Sequence, residues 1–201
     1  MVYQNEKKDS IQTLSDRPQN IWVIDLSTKD NYLDRNRNMS KIAERVYIAD
    51  GAKILGDVTI GSGSSVWYNA VIRGDASPIV IGEKTNIQDN AVLHVGHEQS
   101  LRIGNNVTIG HGAIVHGCAI GNNVLIGMGA IVLDGAVIED NCILGAGALI
   151  TQNKKIEEGS LCFGNPAKVM RQITEEEKIS IQKNADNYAE EAAEFFEKRP
   201  V

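Results

Sequence analysis

The residues most able to do chemistry in this chain are its four histidines, His94, His97, His111 and His116, which all lie within 23 residues. Neutral imidazole is a common ligand for zinc and for other divalent transition metals. Three such ligands with a vacant fourth position are typical of catalytic zinc, which lowers the pKa of bound water to about 7. Whether the chain can form a metal site therefore depends on which of these side chains lie close enough to bind one ion.

An internal repeat determines where the histidines lie. Aliphatic residues recur about every six positions, with two insertions and one step that is short by a residue. Glycine directly follows many of them, as in Ile60-Gly61 and Ile103-Gly104. The eighteen repeating positions are Ile48, Ile54, Ile60, Val66, Ile72, Ile81, Ile87, Leu93, Ile103, Ile109, Val115, Ile120, Ile126, Val132, Ile138, Leu144, Ile150 and Ile156.

This period predicts a parallel β-helix. An α-helix cannot keep it, because six residues turn a helix by about 600° and the apolar stripe would spiral away. A coil with three short faces per turn points one aliphatic side chain of each face inward, and Gly or Asn at the corners adopts positive φ. Eighteen positions, three per turn, predict about six turns stacked roughly 4.8 Å apart. The expected fold is an all-β core over residues 41–170, with a handedness that spacing does not determine.

The register of the coil sorts the histidines into two columns. Positions one full turn apart share a face, so Arg73, His94 and His116 form one column. A backbone spacing of about 4.8 Å would let the two histidines bind one ion. His111 falls in a different column, together with Asp89.

The third ligand is expected to come from another subunit. His111 and His116 are separated by five residues, roughly 16 Å of extended chain, and lie on different faces of one prism. A neighbouring subunit that presents its own His111 would complete the set, and three-fold symmetry repeats this contact and closes. The spacing suggests metal sites between the subunits of a cyclic homotrimer.

The two ends of the chain lack the repeat. Residues 1–40 form a polar N-terminal extension of unknown role, in which residues 21–24 could form a strand. Residues 171–201 are expected to form a C-terminal helix that begins with a capping box at residues 174–177 and packs on the β-helix.

Composition excludes several functions and predicts a cytoplasmic protein. The net charge is −6 with no basic block, which argues against a nucleic-acid surface or an anionic membrane surface. No stretch approaches the roughly 20 apolar residues of a membrane span, and no apolar signal segment follows the start. The three cysteines, Cys118, Cys142 and Cys162, have no CxxC spacing and are interpreted as reduced, buried residues.

The segments that carry the histidines resemble the γ-class carbonic anhydrases, a branch of the hexapeptide-repeat proteins, over about residues 40–190. The resemblance implies a left-handed coil, a homotrimer and reversible hydration of CO2 to bicarbonate. It also implies a metal held by His94, His111 and His116, with one ligand from a neighbour. The matching segments are VWYNAVIRGD (66–75), NIQDNAVLH (86–94), IGHGAIVHGC (109–118), IGMGAIV (126–132) and GNPAKV (164–169).

The resemblance further implies roles for residues around the ion. Arg73 and Asp75 would pair across the interface, and a structural ion pair is an equally good description of them. Gln88 would orient the attacking hydroxide, with Asn86 and Asp89 beside it.

Two of these implied roles have plainer alternatives. Gln88 and Asn86 would serve equally well as amides that cap a corner of the coil. Tyr188 on the C-terminal helix is implied to approach the cleft, although its helical spacing also fits a packing role.

The chain departs from the prototype enzymes in its surface loops, which lack the glutamates that serve there as proton shuttles. The insertion after His94 offers only His97 and Glu98, and the unperturbed histidine pKa near 6.5 suits proton transfer. A solvated loop without such a role is the plainer interpretation of both residues. Without a good shuttle, hydration would be slow or absent.

Zinc is the expected cofactor, and iron(II) or cobalt(II) would accept the same ligands. Three alternatives remain open: a hexapeptide-repeat acyltransferase that uses acyl-CoA, a thioesterase on the same metal site, and a trimeric scaffold with a structural metal. The repeat and GNPAK favour the acyltransferase. Three converging histidines disfavour it, because acyl transfer needs one base and no metal.

Overall fold

The computed structural model describes residues 40–197, so the predicted N-terminal extension lies outside the described residues except for residue 40. Short strands follow one another along the chain before a helix, α1 (Glu175–Glu197). The strands are β1 (Lys41–Ile42), β2 (Tyr47–Ile48), β3 (Lys53–Ile60), β4 (Ser65–Val66), β5 (Val71–Ile81), β6 (Asn86–Ile87), β7 (Val92–His94), β8 (Leu101–Ile103), β9 (Thr108–Ile109), β10 (Ile114–His116), β11 (Ala119–Ile120), β12 (Leu125–Ile126), β13 (Ile131–Val132), β14 (Val137–Ile138), β15 (Ile143–Leu144), β16 (Leu149–Ile150), β17 (Lys155–Ile156), β18 (Ser160–Gly164) and β19 (Ala167–Gln172).

The strands stack in parallel into three faces. Face 1 contains β2, β4, β6, β9, β12, β15 and β18. Face 2 contains the first halves of β3 and β5, followed by β7, β10, β13 and β16. Face 3 contains β1, the second halves of β3 and β5, and then β8, β11, β14 and β17. An antiparallel hairpin of β18 and β19 closes the coil.

The repeat prediction is confirmed and extended by one turn. All eighteen predicted aliphatic residues belong to one core, and only Ile48 and Ile54 near the open end are partly exposed. Ile42 continues the ladder at the first end and Cys162 continues it at the last. The coil therefore has about seven turns rather than six.

The glycines that follow the aliphatic residues have a different purpose from the predicted one. Gly61, Gly82 and Gly104 are absent from the positions with positive φ, which fall two residues later, as at Asn106 with φ 55°. A Cβ on Gly104 would lie 2.6 Å from the backbone oxygen of Gly121 on the next turn. These glycines are required because the turns approach too closely for a side chain, and the residue two positions later supplies the positive φ, which is Gly63, Lys84 or Asn106 in these three turns.

We expect Gly104→Ala to lower the thermal unfolding midpoint more than Gly63→Ala. Gly63 has φ 71°, and its added Cβ would meet only the Lys84 side chain, at 3.4 Å. That change costs only left-handed strain, about 1–2 kcal/mol, whereas a methyl on Gly104 must also displace the backbone of the next turn. Circular dichroism melting of both variants measures the difference, and equal midpoints would contradict this packing explanation.

Helix α1 lies along face 1. Its capping box forms as predicted, since the Glu177 amide donates to Thr174 Oγ1 at 3.2 Å and the Thr174 amide donates to Glu177 Oε2 at 2.8 Å. Ile181, Ala185 and Ala192 on its inner side are buried. Within residues 40–197, no helix is long and apolar enough to cross a membrane.

Candidate metal centre

His94 and His116 lie side by side on face 2. They occupy paired positions of β7 and β10, next to Arg73 of β5, as the repeat register predicts. His94 Nδ1 lies 3.0 Å from His116 Nε2. Two nitrogens bound to one tetrahedral ion at 2.0–2.1 Å would lie about 3.3 Å apart. The spacing of this pair is therefore close to that of two ligands on one metal ion.

The protonation of the two rings favours a cation at this place. His94 Nε2 lies 3.3 Å from Asp75 Oδ1, and His116 Nδ1 contacts Asp134 Oδ1. A carboxylate only accepts hydrogen bonds, so each of these ring nitrogens carries the proton and donates it. The two nitrogens that face each other then both carry lone pairs. Two such lone pairs at 3.0 Å repel unless a metal ion or a shared proton lies between them, so the donor set is compatible with a divalent transition metal.

Burial and nearby charge lower the pKa of His94. Arg73 Nη1 lies 2.8 Å from Asp75 Oδ2 within the same chain. Burial raises the pKa of the Asp75 carboxyl, but the hydrogen bond and charge of Arg73 outweigh it, so this pKa lies below its ordinary value. Burial and then the charge of Arg73 hold the pKa of His94 below its ordinary value, against the opposing contact with Asp75. Neutral imidazole is the form that binds a metal ion.

His111 lies at the corner between faces 1 and 2, away from the other two histidines. Its Nδ1 is 2.8 Å from Asp89 Oδ2. Among residues 40–197 of a single chain, no group of three histidine, cysteine, aspartate or glutamate side chains could hold a metal ion. One subunit therefore brings together His94 and His116 but leaves His111 apart from them.

A chain of hydrogen bonds links the corner of His111 to α1. Gln88 and Asn86 are buried, and Gln88 Oε1 accepts from the His111 amide at 3.1 Å. Gln88 Nε2 donates to Asn86 Oδ1 at 3.1 Å, and Asn86 Nδ2 donates to Thr108 Oγ1 at 2.9 Å. Asn184 of α1 donates to the same hydroxyl at 2.8 Å. Gln88 thus caps the turn and fixes the backbone that carries His111.

Tyr188 of α1 packs against face 1. Its ring meets Trp67 edge to face, with centroids 5.6 Å apart, in a cluster that includes Tyr47. Burial raises the pKa of the Tyr188 hydroxyl, and the negative charges of Glu191 and Asp89 add to the shift. The packing role of Tyr188 is therefore present in the structure.

Face 2 carries an uncovered apolar stripe between the two groups of histidines. Val92 is 36% exposed and Ile114 is 41% exposed, and the strands that α1 contacts most extensively belong to face 1. One edge of this face ends at His111, and the opposite edge ends at His94 and His116. A contiguous apolar strip on a surface is typical of a contact with another protein chain. The outward residues of the stripe are Val71, Val92, Ile114, Ile131 and Leu149.

Sequence reasoning missed Asp134, the carboxylate in contact with His116. The residue follows β13, one turn beyond β10 on face 2. The register pairs Val132 with Val115, and this pairing indicates that the residues just after Val132 lie close to His116. The predicted proton carriers His97 and Glu98 lie exposed in the loop between β7 and β8.

A comparison with family models identifies the repeat. The model described as bacterial transferase hexapeptide (six repeats) matches residues 39–74 and 117–152. Together with the three-faced parallel coil, this match gives the chain the left-handed parallel β-helix of the hexapeptide-repeat proteins.

Two relatives with high sequence identity to this chain are named as carbonic anhydrases. The chain is 56% identical over 147 residues to the "Probable carbonic anhydrase" of Methanocaldococcus jannaschii, covering 73% of this chain and 92% of that protein. It is 40% identical over 172 residues to "Gamma carbonic anhydrase 2, mitochondrial" of Arabidopsis thaliana, covering 79% of this chain. The match spans only 62% of the length of that plant relative.

A solved structure is similar over most of the chain. The hexapeptide transferase family protein from Anaplasma phagocytophilum is 47% identical, with a TM-score of 0.73. The match covers 76% of this chain and 90% of that protein. The similarity therefore extends over the β-helix as a whole.

Proposed function

Because this chain belongs to the γ-class carbonic anhydrase family of hexapeptide-repeat proteins, we propose that it hydrates CO2 reversibly to bicarbonate. The reaction takes place at a divalent metal held between the subunits of a homotrimer. The main support is the approach of His94 Nδ1 and His116 Nε2, which face each other at 3.0 Å. Such an arrangement suits a bound cation and has no use in acyl transfer, which needs one base.

Three histidines would hold the ion: His94 and His116 of one subunit, and His111 of the next. Zinc suits this all-nitrogen set, and iron(II) or cobalt(II) would accept the same ligands. When bound, such a metal supplies Lewis acidity and lowers the pKa of a water ligand to about 7.

The trimer is supported by the placement of the apolar stripe. If three copies turn face 2 toward a common three-fold axis, the His111 edge of each copy lies beside the His94–His116 edge of its neighbour. The same packing buries Val92 and Ile114, which one subunit leaves exposed. A single arrangement thus covers the stripe and completes the ligand set three times.

The remaining residues hold these ligands and move the proton. Asp75 accepts from His94 and Asp89 accepts from His111, and these contacts fix both ring orientations. Gln88 fixes the backbone of His111, while a second hydrogen on its Nε2 remains for a water at the corner. His97, exposed after His94, would carry the proton to solvent.

CO2 hydration by stopped flow tests the proposal. The metal-free full chain would be reconstituted separately with Zn²⁺, Co²⁺ and Fe²⁺ and compared with a metal-free sample. We expect metal-dependent hydration and no release of CoA from acetyl-CoA in the presence of simple amine and alcohol acceptors. CoA release without hydration would overturn the proposal in favour of acyl transfer or thioester hydrolysis.

Two further sequence-based predictions also stay predictions. One is the cytoplasmic location, since the plant relative is named as mitochondrial. The other is the division into an extension (1–40), a β-helix (41–170) and a helical segment (171–201). The observed boundary falls between β19, which ends at Gln172, and α1, which begins at Glu175.

A further inference from the structure

The carboxylate of Asp134 lies against the imidazole of His116. Asp134 Oδ1 contacts His116 Nδ1, on the side of the ring opposite to the nitrogen that faces His94. We propose that Asp134 is a positioning residue that fixes the tautomer and ring orientation of His116 for metal binding. This inference rests on the proposed function, because it concerns how one ligand of that same metal is held.

The chain makes room for this contact at Gly117. Gly117 has φ 51°, and a Cβ there would lie 2.4 Å from Asp134 Oδ1 and 2.4 Å from Gln99 Oε1. The missing side chain opens a slot directly after His116, and the carboxylate of the next turn enters it. Any larger residue at position 117 would push the carboxylate away from the ring.

The backbone holds the turn of Asp134 over that slot. The Gly135 amide donates to the Gly117 carbonyl at 2.8 Å, and the Asn153 amide donates to the Asp134 carbonyl at 2.9 Å. The turn is thus tied to the coils on both sides of it. The position of the carboxylate is set by the stacking of the coils and not only by its own rotamer.

The contact has a defined chemical consequence for His116. The carboxylate accepts, so the proton resides on Nδ1 and the lone pair resides on Nε2. A negatively charged acceptor also raises the basicity of the other ring nitrogen, and loss of such a partner typically weakens metal binding 10- to 100-fold. All three proposed ligands have a partner of this kind. The pairs are His94 with Asp75, His111 with Asp89 and His116 with Asp134.

Metal affinity of the full chain tests the role of Asp134. Zn²⁺ would be titrated into metal-free protein against a competing chelator, and Co²⁺ absorption would report the ligand geometry. We expect Asp134→Ala to bind Zn²⁺ about 10- to 100-fold more weakly than the wild type. Asp134→Asn, which keeps an acceptor oxygen without its charge, should fall between them, and Gly117→Ala should resemble Asp134→Ala. The matched control is Glu190→Gln, which neutralises an exposed carboxylate of α1 on face 1 and should bind Zn²⁺ as the wild type does.

Melting of the metal-free proteins separates positioning from a structural role. We expect Asp134→Ala to melt at the wild-type temperature without metal and to gain less stability when Zn²⁺ is added. Wild-type Zn²⁺ affinity in Asp134→Ala would overturn the inference alone, as would an equal loss of melting temperature with and without metal. A wild-type protein that binds none of the metals would overturn the proposed function and this inference with it.

Discussion

Replacement of His111 by alanine is expected to empty the metal site of every subunit and to reduce CO2 hydration to the uncatalysed rate. The variant leaves His94 and His116 of the neighbouring subunit as a two-nitrogen set without its third protein ligand. Loss of an outer hydrogen-bond partner already weakens metal binding 10- to 100-fold, so loss of a direct ligand should exceed that range. Metal content by plasma mass spectrometry and stopped-flow hydration measure the two effects.

The matched control for this variant is His97→Ala. His97 is exposed in the loop after β7 and has no place in the ligand set, so this protein should keep its metal. Its hydration rate reports separately on proton transfer. A His111→Ala protein that kept both its metal and its hydration rate would show that the ligand assignment is wrong.

Replacement of Val92 by glutamate is expected to dissociate the trimer into monomers and to release the metal with it. Val92 is 36% exposed in one subunit and lies between Val71 and Ile114 in the apolar stripe. Three-fold packing would bury the new carboxylate at each contact, and an unpaired buried charge costs several kcal/mol. Because the ligand set is divided between subunits, dissociation should also remove the metal. Light scattering after size exclusion, together with metal analysis, tests both results.

Val137→Glu is the control for the assembly prediction. Val137 is 39% exposed and occupies an outward position of face 3, which the proposed packing leaves free. The two variants make the same chemical change at similar exposure on different faces. A trimeric Val92→Glu protein, or a Val137→Glu protein that dissociated equally, would argue against face 2 as the interface.

The sequence was sufficient to predict the coil, because a period of six is incompatible with an α-helix and leaves only a three-faced turn. It also predicted the pairing of His94 with His116, since Leu93 and Val115 stand one turn apart in the same ladder. The aliphatic ladder resumes after the insertion that follows His94, so the register remained reliable across these 22 residues.

Features that depend on contacts between turns were harder to predict. Gly104 looks like a corner glycine in sequence, but its requirement comes from the backbone of Gly121 at 2.6 Å. The contact of Asp134 with His116 needs the short step after Val115, which places a glycine beneath the carboxylate. Register alone predicts neighbouring positions, whereas this contact also needs the direction of the side chain and the space left at Gly117.

The repeat also could not predict which face of the coil α1 covers. All three faces present a regular series of outward residues, and only the docking of α1 distinguishes face 1 from face 2. That docking uses the contact of Asn184 with Thr108 and the packing of Tyr188 on Trp67. Both contacts join residues far apart in the chain, so periodicity carries no information about them.

Native mass spectrometry of the untagged, full-length protein tests the central claim most directly, because it reports subunit number and bound metal together. The intersubunit centre predicts a homotrimer with about one divalent metal ion per chain, and monomers that form on activation should carry none. A monomer that retains its metal, or a trimer that binds none after reconstitution with Zn²⁺, would contradict it.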